Sequence, residues 1–203
     1  MENRNIVCVT NRKLVNGYME ELNKNKTEDF SFGSPFMAKI REVVKKKPAF
    51  IILREKDLSA EKYRELAAGV LEICEKSGIS CVLHHFYKEA MELGVRKIHL
   101  PLHILEEMSD SEKSCFDVIG VSTHSVEDAK KARKLGASYI TAGHIFVTDC
   151  KKGLAPRGIG FLREVCENVD TDVYAIGGIT EKNMAECIKA GAKGVCMMSG
   201  FMR

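Results

Sequence analysis

Short runs of nearly continuous apolar residues recur along the chain, and most are followed by a stretch in which apolar positions return every three or four residues. The runs are Ile6 to Thr10, Ala49 to Leu53, Ile79 to Leu83, Lys97 to Leu100, Val118 to Val121, Tyr139 to Ala142, Val173 to Ile176 and Gly194 to Met198. A short run without polar alternation is the pattern of a strand buried on both faces. The intervening stretches predict helices from Pro35 to about Lys46, from Ser59 as N-cap to Ser77, and over Phe86 to Leu93, Ser125 to Leu135, Ile159 to Val169 and Thr180 to Ala190. Pro35 suits a first helical position, and Gly78, Gly94, Gly136 and Gly191 stand where helices stop. Polar Asn11 to Asp29 reads as a strand-end loop with about one helical turn.

Alternating strand and helix units, with no two strands close enough for a hairpin, leave a closed (β/α)8 barrel or an open doubly wound sheet. Eight units in 203 residues favour the barrel, and no G-x-G-x-x-G follows the first strand. The expectation is an α/β chain forming a single TIM barrel over residues 1–203. Its eighth helix is short or missing, because only Ser199 to Arg203 follow the last strand. The apolar surface left there calls for cover by the N-terminal segment or by a second subunit, unless the chain is a shortened form; a homodimer is the favoured expectation.

Composition narrows the class: 45% hydrophobic and 29% charged residues suit one sizeable core. A net charge of +3 with a sequence pI near 8.4, the charges interspersed, argues against nucleic acid and a polybasic membrane patch. No apolar run approaches the roughly 18 residues of a membrane span, and the first residues lack a signal-peptide core, so the expected location is cytoplasmic. The eight cysteines form no C-x-x-C pair. Seven read as small buried hydrophobes, and Cys150, in a polar loop, as a possible functional thiol.

In a barrel of this kind the reactive groups lie on loops after the strands. Those loops carry Thr10 and Arg12; Arg54 and Lys56; His84 and His85; His99 and His103; Ser122, Thr123 and His124; Gly177 and Gly178; Ser199 and Gly200; and the charged segment Gly143 to Gly158. Gly177-Gly178 and Ser199-Gly200, after strands seven and eight, are the expected phosphate site, where backbone N–H groups approach an anion closely. Arg54 and Lys56, alternating at the end of strand two, suit an anionic substrate group, the alternative being a salt bridge to Glu55, Asp57 or helix acids. His84-His85 lacks a third ligand, so no metal site is expected. His99 reads as a packed, hydrogen-bonded barrel residue and His124 as the neighbour of a helix cap. His144, directly after Gly143, is the candidate proton-transfer group.

Leu53-Arg54-Glu55-Lys56-Asp57, Gly120 to Ser125, Ala175 to Thr180 and Met198-Ser199-Gly200 together resemble the thiamine phosphate synthase/TenI superfamily over nearly the whole chain. Synthases usually carry Gly-Pro at the start of the loop after strand six. Gly143-His144-Ile145-Phe146, followed by Thr148 to Leu154 and Arg157-Gly158, looks instead like TenI, which implies a thiazole tautomerase. The resemblance implies aromatisation of a carboxylated thiazole phosphate without metal or other cofactor, with His144 as general acid/base and Asp149 or Cys150 orienting it or sharing the transfer. Arg54, Lys56, Ser122, Thr148, Lys151 and Arg157 would bind substrate, and Gly177, Gly178, Ser199 and Gly200 its phosphate.

Two alternatives follow from the same resemblance. One is thiamine phosphate synthase, which couples a thiazole phosphate to a pyrimidine pyrophosphate and holds Mg²⁺ with an Asn-Asp pair after strand three and an aspartate after strand four. Here those places carry His84-His85 and the Leu102-His103-Ile104 neighbourhood, and imidazoles suit Mg²⁺ poorly. The other is a barrel that binds a thiamine-pathway phosphate as a regulator.

Overall fold

The structure, a computed structural model, describes residues 5–25, 27–151 and 153–203, with the side chains of Asn25 and Cys150 outside the description. Eight parallel strands, β1 to β8, close in sequence order into a barrel with helices between them. The expected architecture is therefore correct. The chain divides into two compact units, residues 1–95 with 198–203 and residues 96–197.

The first unit contains β1 (Ile6–Val9), α1 (Tyr18–Asn25), α2 (Pro35–Lys45), β2 (Ile51–Leu53), α3 (Ala60–Lys76), β3 (Cys81–His84) and α4 (Tyr87–Glu92). Strands β1, β2 and β3 pair in parallel and every residue in them is buried, as their unbroken apolar runs require. Pro35 opens α2 behind Ser34, whose hydroxyl accepts from the Met37 N–H. Ser59 does the same for Lys62 at the start of α3. Gly78 ends α3 with φ +66°, and the Ile79 N–H returns to the Cys74 carbonyl at 3.0 Å, a closure that needs a left-handed residue.

Tyr63 of α3 is wholly buried; its hydroxyl donates to the Leu53 carbonyl at 2.7 Å and accepts from the His84 N–H at 2.9 Å. One phenol thus holds the carboxyl ends of β2 and β3, where the loops carrying Arg54 and His85 begin. Helix α1 is longer than the single turn expected. Only Tyr18, Met19 and Leu22 of its residues are apolar, and among the described side chains it buries Tyr18 alone, so its apolar period is too weak to read.

The second unit contains β4 (Lys97–Pro101), α5 (Leu102–Glu107), α6 (Asp110–Lys113), β5 (Val118–Thr123), α7 (Val126–Lys134), β6 (Tyr139–Gly143), α8 (Gly158–Asn168), β7 (Asp172–Ile176), α9 (Met184–Lys189) and β8 (Gly194–Met197). Its strands pair in parallel from β4 to β8. Helices α5 and α6 were not expected. Each is too short to show a period, although Ser109 and Glu112 form a reciprocal capping box on α6. Helix α9 starts at Met184 rather than Thr180, because Asn183 turns the preceding residues, accepting from the Thr180 N–H at 2.8 Å and donating to the Gly178 carbonyl at 3.0 Å.

After β8 the chain returns to the first unit as a single turn, α10 (Ser199–Met202), which buries Phe201 and Met202. The eighth helix is short, as its sequence allows. Of the cysteines, 8, 74, 81, 187 and 196 are buried as expected, whereas Cys115 and Cys166 are half-buried. Among the described residues no helix is long and apolar enough to cross a membrane.

Burial pushes the phenols of Tyr18 and Tyr174 up to about 12 from 10, and the thiols of Cys166 and Cys187 up to about 11 from 9. In each case the folded chain keeps a proton that the unfolded chain releases at lower pH. Stability should therefore fall as pH rises above about 9, seen as a urea midpoint that drops steadily toward about pH 11. A midpoint unchanged over that interval would contradict it.

Candidate active site

In the loop after β1 the Asn11 side chain caps a short 3-10 turn over Arg12–Leu14, and this turn sends the Arg12 side chain inward. Arg12 is 3% exposed and meets three carboxylates. Its Nη1 and Nη2 bind both oxygens of Asp57 at 2.7 and 3.1 Å, Nη1 also reaches Glu55 at 3.1 Å, and Nη2 reaches Glu28 at 2.5 Å. Its Nε donates to the Tyr18 hydroxyl at 2.7 Å. Glu55, 2% exposed, accepts in addition from the Thr10 hydroxyl at 2.7 Å and the Arg12 N–H at 3.0 Å.

Burial raises the Glu55 carboxyl above its ordinary range against the pull of Thr10 and Arg12. The Arg12 bond and then Lys13 hold Asp57 well below its own. Burial also opposes ionisation of Glu28, but Arg12 outweighs it and Glu28 is lowered. The Arg12 guanidinium is correspondingly held in its charged form. Its charge is matched by protein acids, so it is a structural cation and no free anion receptor.

This network corrects the reading of Arg54 and Lys56. Strand β2 stops at Leu53, so the pleat does not govern the two side chains; Arg54 is half-buried, and Lys56 is exposed in a turn. Glu55 and Asp57, the expected alternative partners, are taken by Arg12 and Lys13. The Arg54 N–H donates to the Thr10 hydroxyl at 2.9 Å, so the buried network sets the backbone from which these cations project. His84 is buried, and its ring stacks on His85 at 6.2 Å, with His85 at φ +74°. Ser199 and Gly200, both exposed, open α10 in the same unit.

In the second unit the loop after β6 continues the sheet beyond its last strand residue. The Ile145 N–H donates to the Ile176 carbonyl at 2.9 Å and the Phe146 N–H to the Gly177 carbonyl at 3.0 Å. The loop returns to its own start, where the Arg157 and Gly158 N–H groups reach the His144 and Ile145 carbonyls at 2.9 and 3.1 Å. Half-buried His144 lies with Nε2 3.3 Å from the Leu154 carbonyl, a contact within the loop. Thr148 is half-buried, while Asp149 and Lys151 are exposed on a 3-10 turn at the tip. Arg157 is exposed with its guanidinium 5.4 Å from the Phe161 ring centroid. The expected thiol of Cys150 lies outside the described residues.

Gly177 and Gly178 have φ +100° and +66°. A Cβ on Gly177 would sit 2.3 Å from His144 Cβ, and one on Gly178 would sit 2.3 Å from the Val147 carbonyl oxygen. Their side-chain-free backbone is therefore required by the approach of residues 144–147, independently of any phosphate.

Below this loop, inside the second unit, His99 is 2% exposed, with Nδ1 3.0 Å from the Tyr139 hydroxyl and Nε2 2.8 Å from the Ser122 hydroxyl. The packed, hydrogen-bonded reading of His99 is correct. His124 does more than neighbour a cap: its N–H donates to Asp128 at 3.0 Å, and its Nδ1 lies 2.8 Å from the Gly143 carbonyl. Sequence reasoning missed the Arg12 network and the Tyr139–His99–Ser122 chain. A signal for the second was present in Gly120, mid-strand, where a Cβ would lie 2.1 Å from Tyr139 and 2.5 Å from His99.

Residues 25–201 match the family described as thiamine monophosphate synthase. A thiamine-phosphate synthase of Shouchella clausii is 32% identical over 178 residues, 85% of this chain and 83% of that protein. Another, of Alkaliphilus oremlandii, is 30% identical over 175 residues, 84% of this chain and 82% of its own length. The solved thiamine phosphate pyrophosphorylase of Pyrococcus furiosus superposes with a TM-score of 0.77 at 24% identity, covering 99% of this chain and 89% of its own, which shows the shared fold.

These relatives overturn the tautomerase expectation, which rested on His144 standing where synthases usually have proline. A single loop difference is outweighed by likeness to synthases along more than four-fifths of the sequence. The superfamily resemblance itself holds: the chain belongs to the thiamine monophosphate synthase family.

Proposed function

We propose that this protein is a thiamine phosphate synthase. The observation that carries this reading is its two-way alignment with proteins of that name. The reaction joins the thiazole nitrogen to the methylene carbon of the pyrimidine. The carbon–oxygen bond to pyrophosphate breaks, and its electron pair leaves with the pyrophosphate. No proton moves in that exchange, so it gives His144, Asp149 and Cys150 no proton to carry; His144 instead helps close its own loop.

Both substrates are phosphorylated, and the cations on the strand-end loops suit them. Arg54 and Lys56 in one unit, and Lys151 and Arg157 in the other, would meet phosphate charge. The Ser122 and Thr148 hydroxyls would donate to phosphate oxygens. The Gly177 and Gly178 N–H groups would donate to a phosphate oxygen, and Ser199 and Gly200 would do so by their place after β8. The Mg²⁺ that the family resemblance implies does not fit the residues present. The carboxyl end of β3 offers buried His84 and neighbouring His85, the start of α5 directly after β4 offers Leu102 and His103, and neither pair supplies the carboxylate oxygens a hard cation needs.

The test is to incubate the protein with thiazole phosphate and pyrimidine pyrophosphate, with and without added Mg²⁺, and to follow thiamine phosphate. Product should form, and Arg54→Ala should lower kcat/KM by on the order of tenfold or more, the scale of one charge-assisted contact. Absence of product under both conditions would overturn the proposal.

A further inference from the structure

The Tyr139–His99–Ser122 chain runs from the barrel interior of the second unit to a half-buried hydroxyl at the carboxyl end of β5. Its donors and acceptors can be counted. Ser122 Oγ has one proton to give and two lone pairs to fill. One is taken by the Thr141 hydroxyl, which donates at 3.4 Å, and His99 Nε2 lies at 2.8 Å, nearer to Ser122 than to the Thr141 hydroxyl at 3.5 Å. The Tyr139 phenol is buried, and burial raises its pKa well above 10, so it keeps its proton. A buried O–H needs an acceptor, and His99 Nδ1 stands 3.0 Å away. If Nδ1 accepts from Tyr139, the neutral ring carries its proton on Nε2 and donates to Ser122. Both serine lone pairs are then filled, and its own O–H has to point elsewhere.

We propose that His99 is a positioning residue that donates from Nε2 to Ser122 and thereby turns the Ser122 hydroxyl outward as a donor to a phosphate or pyrophosphate oxygen of the substrate. The opposite tautomer would draw the serine proton inward onto Nε2 and leave an acceptor facing the anion, which is repulsive. Tyr139 selects between the two. Gly120 makes the arrangement sterically possible, since any side chain there would occupy the space of the phenol and the imidazole. The anion part of this inference rests on the synthase reading; the tautomer part does not.

The experiment has two arms. In the first, ¹⁵N-histidine NMR of the intact protein, with His99 assigned by loss of its signals in His99→Gln, should show Nε2 protonated and Nδ1 bare. Tyr139→Phe should convert this to a mixture. A proton on Nδ1 in the wild type would overturn the proposal. In the second, calorimetric titration with inorganic pyrophosphate should show Ser122→Ala and His99→Phe each weakening binding about tenfold. Their combination should be no weaker than either alone, because the two act through one hydroxyl. His99→Gln, which keeps an N–H donor, should lie nearer the wild type than His99→Phe does. Wild-type pyrophosphate affinity in a folded His99→Phe protein would also overturn it. If no thiamine phosphate forms while the tautomer and titration results hold, the synthase reading fails and the role of His99 stands.

Discussion

Replacing Arg12 by methionine should lower the stability of the folded protein by about 3–5 kcal/mol, read from urea denaturation, the cost of leaving buried acids without their cation. Arg12 and Glu55 are almost fully buried, and Glu28 is 11% exposed, so water cannot replace the lost guanidinium. The thioether stem fills much of the same volume, so the loss is mainly electrostatic. Adding Glu55→Gln to the same chain should recover part of it by removing one stranded charge. The variant should also change the acid response. Glu28 and Asp57 have lowered carboxyl pKa values in the native protein, so the stability they add is present above the ordinary carboxylate range and lost as pH falls through it. That part of the acid loss should disappear with Arg12, whereas Glu55, shifted the other way by burial, does not contribute to it. A destabilisation below about 1 kcal/mol would show that the network is not what holds these loops.

Gly178→Ala should displace the loop after β6. The left-handed backbone alone costs an alanine roughly 1 kcal/mol. The larger effect is steric, because the new Cβ would meet the Val147 carbonyl oxygen at 2.3 Å and Phe146 at 2.8 Å. These are backbone and Cβ atoms, which cannot rotate aside as the end of a long side chain can, so residues 146–147 have to move. Amide hydrogen exchange at Phe146, whose N–H is bonded to the Gly177 carbonyl, should accelerate by tenfold or more, with a smaller increase at Ile145. Stability should fall by about 2–3 kcal/mol, the scale of overpacking a tight contact. Unchanged protection at Phe146 would mean that the two loops are not tied together as described.

Much of the fold was legible because its signals are local. The apolar runs at 49–53, 139–142 and 173–176 read as strands from their pattern alone, and the strands lie at 51–53, 139–143 and 172–176; Gly78, Gly94, Gly136 and Gly191 read as helix ends because a left-handed residue is needed there. The misses were local too: α1, α5 and α6 are short or polar, and without two turns of an apolar face there is no period to detect. The functional reading erred for a different reason. It gave one loop position, His144, more weight than the likeness of the rest of the chain, and the structure seats that imidazole against the Leu154 carbonyl.

Sequence by itself determined the order of strands and helices, the barrel they form and the loops on which chemistry could sit, since each follows from hydrophobic period, caps and turn residues within a few positions. Only the tertiary structure decided which side chains share a charge or a proton. Arg12 is bound to acids 16, 43 and 45 residues away, His99 lies between partners 23 and 40 residues away, and Gly177 and Gly178 answer to a loop about thirty residues earlier. Such pairings are written in no local pattern. They exist because closing the strands brings distant loop ends together, and because burial there leaves each polar group dependent on the partner it meets.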